Sequence, residues 1–286
     1  MISLHIFKKN LTKGLVASVM LFILSTYCAI SSAQSELSKI PEPSTQQVWV
    51  ISYFEVKPQS LTAVESLVSG YLKNNQGSEG VLHIKGLQRV SRDTHFAIVE
   101  VWLDEQSRQA KNSLVSVKEF RNSLQQHLSA PYDERIHHAL AVDESPQFAD
   151  SNEATIYALT HVDIVRPEQF SPCSLSLGDD GLCANDLLSN LAVTSRLEEG
   201  NYRFDVLTQS SRENHMTVLE AWSDLAAQQT HAASDVKIDF RFALSGVVST
   251  SSETTDPQEP LTSMMGSLYD ERIYQVLDSS TGLKGN

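Results

Sequence analysis

One feature limits this 286-residue chain more than any other: most of it is written twice. At an offset of 120 residues, EGVLHIKGLQRVSRDTHFAIVEVWLDEQSRQAK (79–111) lies without a gap on EGNYRFDVLTQSSRENHMTVLEAWSDLAAQQTH (199–231). Glu79/Glu199, Gly80/Gly200, Arg92/Arg212, His95/His215, Glu100/Glu220, Trp102/Trp222 and Asp104/Asp224 are identical pairs. Further on, PYDERIHHAL (131–140) matches LYDERIYQVL (268–277) after a shift. Upstream, VISYFEVKP (50–58) is set on LTHVDIVRP (159–167). A repeat of this length is one supersecondary unit used twice, and its fold must bury the same face in both copies.

Each copy has the same order of elements. VWVISYFEV alternates apolar and polar residues, as a half-buried strand does. SLTAVESLVSGYLKNN has helical spacing with a Ser/Thr start signal. LHIKGLQRV and HFAIVEVWL are strands joined by the turn SRDT. EQSRQAKNSLVSVKEFRNSLQQHL is one helix and DERIHHAL a last strand. The order β-α-β-β-α-β is ferredoxin-like, so the expected class is α+β. Helices cover one face of such a sheet, and the second copy supplies a sheet for the other. The chain is expected to be a covalent pseudo-dimer, two ferredoxin-like domains closed into a dimeric α+β barrel, with room for further dimerisation.

The expected boundaries are a signal peptide over 1–33, a first domain over 46–143, a linker over 144–153 and a second domain over 154–278. The signal reading rests on Lys8, Lys9 and Lys13 before LVASVMLFILSTYCAI, with Ser31 and Ala33 at cleavage-site positions. It implies a periplasmic or secreted protein with no stable membrane insertion once cleaved. In an oxidising compartment Cys173 and Cys183 would form a disulfide across a loop inserted in the second copy. A second insertion, VVSTSSETTDPQEPLT (247–262), reads as a long polar loop. The net charge of −13 and the lack of a basic run after residue 40 argue against a nucleic-acid partner.

NHMTVLEAWSD, then QTHAAS, KIDFRFAL and LYDERIY, resemble the antibiotic biosynthesis monooxygenase family, in its quinol-monooxygenase branch. The resemblance covers most of 155–277 and, more loosely, 46–141. It implies oxygenation of a small phenolic, anthrone or quinol-type substrate by O₂, with no cofactor and no metal. The same barrel also suits a non-catalytic small-molecule carrier, or a haem-binding or haem-degrading protein with one His as axial ligand.

Strand parity sorts the candidates. Asn214, Met216, Val218, Glu220 and Trp222 share one face of their strand, and His215 belongs to the other. The resemblance assigns the Asn/Trp face to the cavity. There Trp222 would stack on an aromatic substrate and Asn214 would donate to a developing oxyanion, while Met216 lines the same face. Trp222 reads equally well as core, since Trp102 is kept in the first copy. Glu220 is expected to pair with an Arg such as Arg272. His215 and Tyr269, both with counterparts, are substrate-side candidates that also suit packing roles. His231 stands apart, because Lys111 replaces it in the first copy, just as Thr94 replaces Asn214. If one site survives, these losses put it in the second copy, with Asn214, His231 and Trp222 as the catalytic set.

Overall fold

A computed structural model describes residues 47–143, 155–164, 182–245 and 268–277. The signal segment, Cys173 and the 247–262 stretch lie outside the described residues, as does the whole of the linker. The first repeat contains β1 (Val48–Glu55), α1 (Leu61–Asn75), β2 (Val81–Arg89), β3 (His95–Trp102), α2 (Glu105–Asn112), α3 (Val115–Gln125) and β4 (Asp133–Ala141). The second contains β5 (Ile156–Asp163), α4 (Ala184–Ser195), β6 (Asn201–Gln209), β7 (Arg212–Trp222), α5 (Leu225–Ala232), α6 (Asp235–Ser245) and β8 (Leu268–Val276).

The eight described strands close into one barrel in the order β1-β3-β2-β8-β5-β7-β6-β4. Each repeat contributes a ferredoxin-like sheet, 4-1-3-2 in its own strand order. The two sheets are sewn together by β2–β8 and β4–β6. The pseudo-dimer is therefore built within one chain.

Two readings of local structure change. β1 is buried along almost its whole length instead of alternating. Trp49, Ile51 and Tyr53 face the barrel lumen, while Phe54 and Val56 meet the helices. With both faces covered, polar residues lose their place, and only a strand open on one side alternates. The long helix after β3 is two helices. Ser113 ends α2 by bonding its amide and its hydroxyl back to the Gln109 carbonyl (3.2 and 3.0 Å), and Leu114 is extended. The second copy breaks at the same place, between α5 and α6.

The repeat alignment before β2 also moves by one residue. Glu55 pairs with His95, and Asp163 pairs with the matching His215. The counterpart of Tyr53 is thus His161, not Val162. A one-residue slip sends every side chain to the opposite face, so this register decides what the lumen contains. Tyr53 and His161 meet edge to face, 5.1 Å between ring centroids. Counterparts in mutual contact sit about the pseudo-two-fold axis.

Several identical pairs are explained locally. Asp104 and Asp224 each cap a helix, accepting from Ser107 N (2.7 Å) and Ala227 N (2.9 Å). Such a cap stabilises a helix by about 1 kcal/mol. Gly80 and Gly200 both have positive φ (77° and 81°), and a Cβ there would collide with the helix beginning at that cap. Beside α1, Val64, Val68 and Leu72 form one helical stripe against Phe54, Phe96, Ile98 and Phe120. The Ser60 side chain makes no cap bond, and Pro58 leads the chain into α1.

Candidate active site

The Asn/Trp face of β7 does not line the lumen. Met216, Val218 and Trp222 pack with Phe204 of β6 and with Leu188, Phe240 and Leu244 of the helices. Leu219 and Ala221, on the opposite parity, face the lumen. Both sides of the strand are apolar, so composition could not separate them. The candidates that meet do so between sheet and helices of the second repeat, inside that one domain.

At the centre is His231 of α5, with 0 % of its surface exposed. Its Nδ1 lies 2.9 Å from Glu198 Oε2 and 3.0 Å from Oε1. A carboxylate only accepts, so Nδ1 carries the proton and the Nε2 lone pair is left for chemistry. Nε2 has no hydrogen-bond partner among the described residues, and its nearest carboxylate oxygen, Glu220 Oε2, is 3.7 Å away. The ring stacks on Trp222 at 4.6 Å and meets Phe204 edge-on at 5.6 Å. Burial lowers its pKa to about 4, reinforced by the Lys237 charge and opposed by Glu198. His231 is therefore a neutral, oriented imidazole at neutral pH.

Behind it runs a buried ionic chain. Trp222 Nε1 donates to Glu220 Oε2 (3.0 Å), and Lys237 Nζ donates to Glu220 Oε1 (2.9 Å). Lys237 is 1 % exposed and also lies 3.4 Å from Glu271 Oε2. Tyr269 donates to that same oxygen at 2.7 Å, and the Lys237 ammonium sits 5.5 Å from the Tyr269 ring centroid. Burial pushes Glu220 above the ordinary carboxylate range, with Lys237 pulling the other way. Burial also works against the Lys237 charge, but Glu220, Tyr269 and Glu271 outweigh it and raise its pKa. Burial drives the Tyr269 hydroxyl up to about 12. The expected Glu220–Arg272 pair is absent: Arg272 is bound to Asp270 at 2.6 Å, and Lys237 takes its place.

The remaining candidates lie elsewhere. Asn214 is eight residues from Trp222 along β7, roughly 26 Å at the rise of a strand. Its Nδ2 donates to the Ile164 carbonyl (2.9 Å), clasping the end of β5. Asn214 and Trp222 share a face but cannot touch one small molecule. His215 is on the lumen side. Its Nδ1 is 2.7 Å from Asp163 Oδ1, and its Nε2 is 3.2 Å from Arg135 Nη1 of the first repeat. Arg135 Nη1 also reaches His161 Nδ1 (3.3 Å), and His137 Nε2 bonds Thr217 Oγ1 (3.0 Å). This lumen seam ties the repeats together. The first copy repeats its outer part in His95 and Glu55, 3.3 Å apart.

Glu198, Phe204, Lys237 and Glu271 are members of the cluster that residue-type reasoning missed. A signal existed for three of them. At the repeat offset, Glu198, Phe204 and Lys237 stand where the first copy has Ser78, Ile84 and Val117. Along with His231 in place of Lys111, these are differences peculiar to one copy, and they all meet at one point. Glu271 matches Glu134, so no difference marked it.

A model of the antibiotic biosynthesis monooxygenase (ABM) family matches residues 185–240, which span α4 to α6 and hold His231, Trp222, Glu220 and Lys237. The matched stretch lies wholly within the second repeat, and the match supports a monooxygenase-type function. No curated protein matches the chain. Among solved structures, a candidate monooxygenase from Fusobacterium nucleatum superposes with a TM-score of 0.64 at 17% identity, over 82% of this chain and 94% of that one. One from Lactobacillus acidophilus gives 0.59 at 10% identity, over 82% and 95%. An anthrone oxidase-like protein gives 0.52 at 11% identity, over 84% and 97%. At such identities the likeness is one of fold, and it extends the tandem barrel over both repeats.

Proposed function

We propose that the second repeat oxygenates a small aromatic of the quinol or anthrone type with O₂, using neither metal nor flavin, and that His231 is its base. The observation that carries this reading is the Glu198–His231 dyad, which leaves a bare Nε2 lone pair against the Trp222 ring. His231 Nε2 takes a proton from the acidic O–H or C–H of the substrate. The resulting electron-rich anion passes one electron to O₂, and the radical pair combines into a C–O bond. For an anthrone-type CH₂, the peroxide then loses water, leaving a carbonyl. One oxygen atom enters the product and the other leaves as H₂O, so no outside reductant is needed. Trp222 supplies a flat wall, and the dry surroundings keep the anion from being reprotonated by solvent. Asn214, His215 and Met216, distant from this point, and Tyr269, reached through Lys237, are the secondary candidates.

A second reading, a carrier barrel without turnover, draws support from the sealing of the cluster: Phe204, Glu220, Trp222 and His231 expose no surface, so a substrate must displace neighbours to reach Nε2. Oxygen uptake by the chelator-treated protein with a panel of quinols and anthrones separates the two. Uptake in wild type that falls about 10²-fold or more in His231→Ala is the expected result. Equal uptake in both would remove His231 from the mechanism and move attention to Asn214 and Trp222. Binding without uptake would establish the carrier. The proposal extends to export: cleavage after Ala33, a periplasmic or secreted location, and a Cys173–Cys183 bridge, which a mass measurement of the mature, unreduced protein reads directly.

A further inference from the structure

The first repeat contains a groove of about 300 Å³ between α1 and α3, bounded by Leu67, Gly70, Tyr71, Lys111, Ser116 and Phe120. Its floor is aromatic: Tyr71 and Phe120 stack at 4.2 Å with an 18° interplanar angle. Tyr71 is fixed from below, because its hydroxyl donates to the buried Glu100 at 2.7 Å. Gly70 sits inside α1, where glycine is unfavourable, and a Cβ built on it would meet nothing within 4 Å. Packing does not require glycine here; its effect is to keep the groove wide. The second copy has Asn190 at this position and Leu191 in place of Tyr71, so the groove's shape and floor belong to the first copy alone.

Lys111 gives the groove its charge. It occupies the position of His231, and the contact described for its ammonium is the Ser78 hydroxyl at 3.3 Å. Glu119 stands on the rim, and the Ser66, Ser116 and Ser123 hydroxyls complete the polar edge. An apolar floor, one cation at the side and a single opposing acid suit a flat molecule with one negative charge. A dianion would meet Glu119.

We propose that this groove is a second ligand site, in the repeat that lacks the His231 dyad, and that it takes a small aromatic monocarboxylate. The ring lies against Tyr71, Leu67 and Phe120, and the carboxylate pairs with Lys111. The site is independent of any oxidation in the second repeat.

The test is calorimetric titration of the protein with 2-naphthoate and with its neutral analogue 2-naphthamide. Three variants are compared with wild type: Gly70→Leu, Lys111→Met and His231→Ala. Expected are one-site binding of the acid, loss of that binding in Gly70→Leu, at least a fivefold weakening in Lys111→Met, and no change in His231→Ala. The amide should bind wild type and Lys111→Met alike. Thermal melts check that Gly70→Leu is folded, and Lys111→Met, a change at a half-exposed site, decides if it is not. No binding of naphthoate at millimolar concentration would overturn the proposal. So would binding indifferent to Gly70 and Lys111, or binding lost in His231→Ala, which would put the ligand in the other repeat.

Discussion

Both repeats bury a glutamate at the same point of the same strand, and each satisfies it from a different direction. In the first, Glu100 accepts from Tyr71, which reaches down from α1. In the second, Glu220 accepts from Lys237 of α6 and from the neighbouring Trp222. The sheet fixes where the carboxylate is, and the helices decide what it becomes. With a neutral phenol as partner, burial raises the Glu100 pKa, and the Tyr71 hydrogen bond opposes that rise. With an ammonium, the second site becomes a buried ion pair extended through Glu271 and Tyr269. The His231–Glu198 dyad lies on the other side of Glu220. Duplication supplied two equal scaffolds, and a few helix positions separated their chemistry.

The strongest way to break this comparison is Lys237→Met. It leaves Glu220 buried without its cation, and losing one partner of a buried pair costs about 3–5 kcal/mol. Denaturant unfolding should show that loss, with most of it restored when Glu220→Gln is added. In the first copy Val117 fills the matching place, and Glu100 is satisfied by Tyr71 instead. A cost below about 1 kcal/mol for Lys237→Met would mean that Glu220 is protonated and that the two glutamates are alike.

Acid sharpens the same contrast. His231 is held at about 4, below its ordinary value of 6.5. The folded state therefore favours the neutral ring. Its contribution is complete above pH 6.5 and is lost as pH falls through 4. The size is on the order of 3 kcal/mol, from the value of one pKa unit. His137 and His161, lowered to about 3 and about 2 by burial in the lumen, lose theirs lower still. Glu100, Asp205 and Glu220, whose pKa values burial raises, act in the opposite sense and soften the fall. His231→Gln should flatten the stability profile between pH 6.5 and 4, and Lys111→Gln should leave it unchanged.

Much of the fold was legible because it was written twice. Strand and helix periods and the identical pairs Asp104/Asp224 and Gly80/Gly200 survive in both copies, which excludes chance similarity, but only the fold shows that the aspartates are caps and the glycines turns. The break after Ser113 was not legible: no Gly or Pro marks it, and a hydroxyl bonding back to a helix carbonyl leaves no trace in apolar spacing. The β1/β5 register was off by one because both faces of those strands are buried, which removes the alternation that fixes register. Of the site, His231 was found by its difference from Lys111. Lys237 obeyed the same logic, as Lys for Val117, yet lies on a helix where lysine is ordinarily solvated. Only the fold shows that it points inward. The face of β7 went wrong because Asn214 through Trp222 is apolar on both sides.

The smallest expected effect separates the two tryptophans. Trp102 and Trp222 are 1 % and 0 % exposed and occupy the same position, so Trp→Phe removes the same volume from each repeat. That shared cost cancels in the difference. What remains is the indole N–H. Trp222 Nε1 bonds Glu220, whereas Trp102 Nε1 is buried with no partner among the described residues. Removing an unsatisfied buried donor relieves the fold, and removing a donor from a buried carboxylate costs about 1–3 kcal/mol. Trp222→Phe should therefore be the more destabilising by at least about 1 kcal/mol in urea unfolding. Equal losses would show that Glu220 does not depend on the indole. In that case the wall behind His231 would be held by packing and Lys237, and the two repeats would differ by one hydrogen bond fewer.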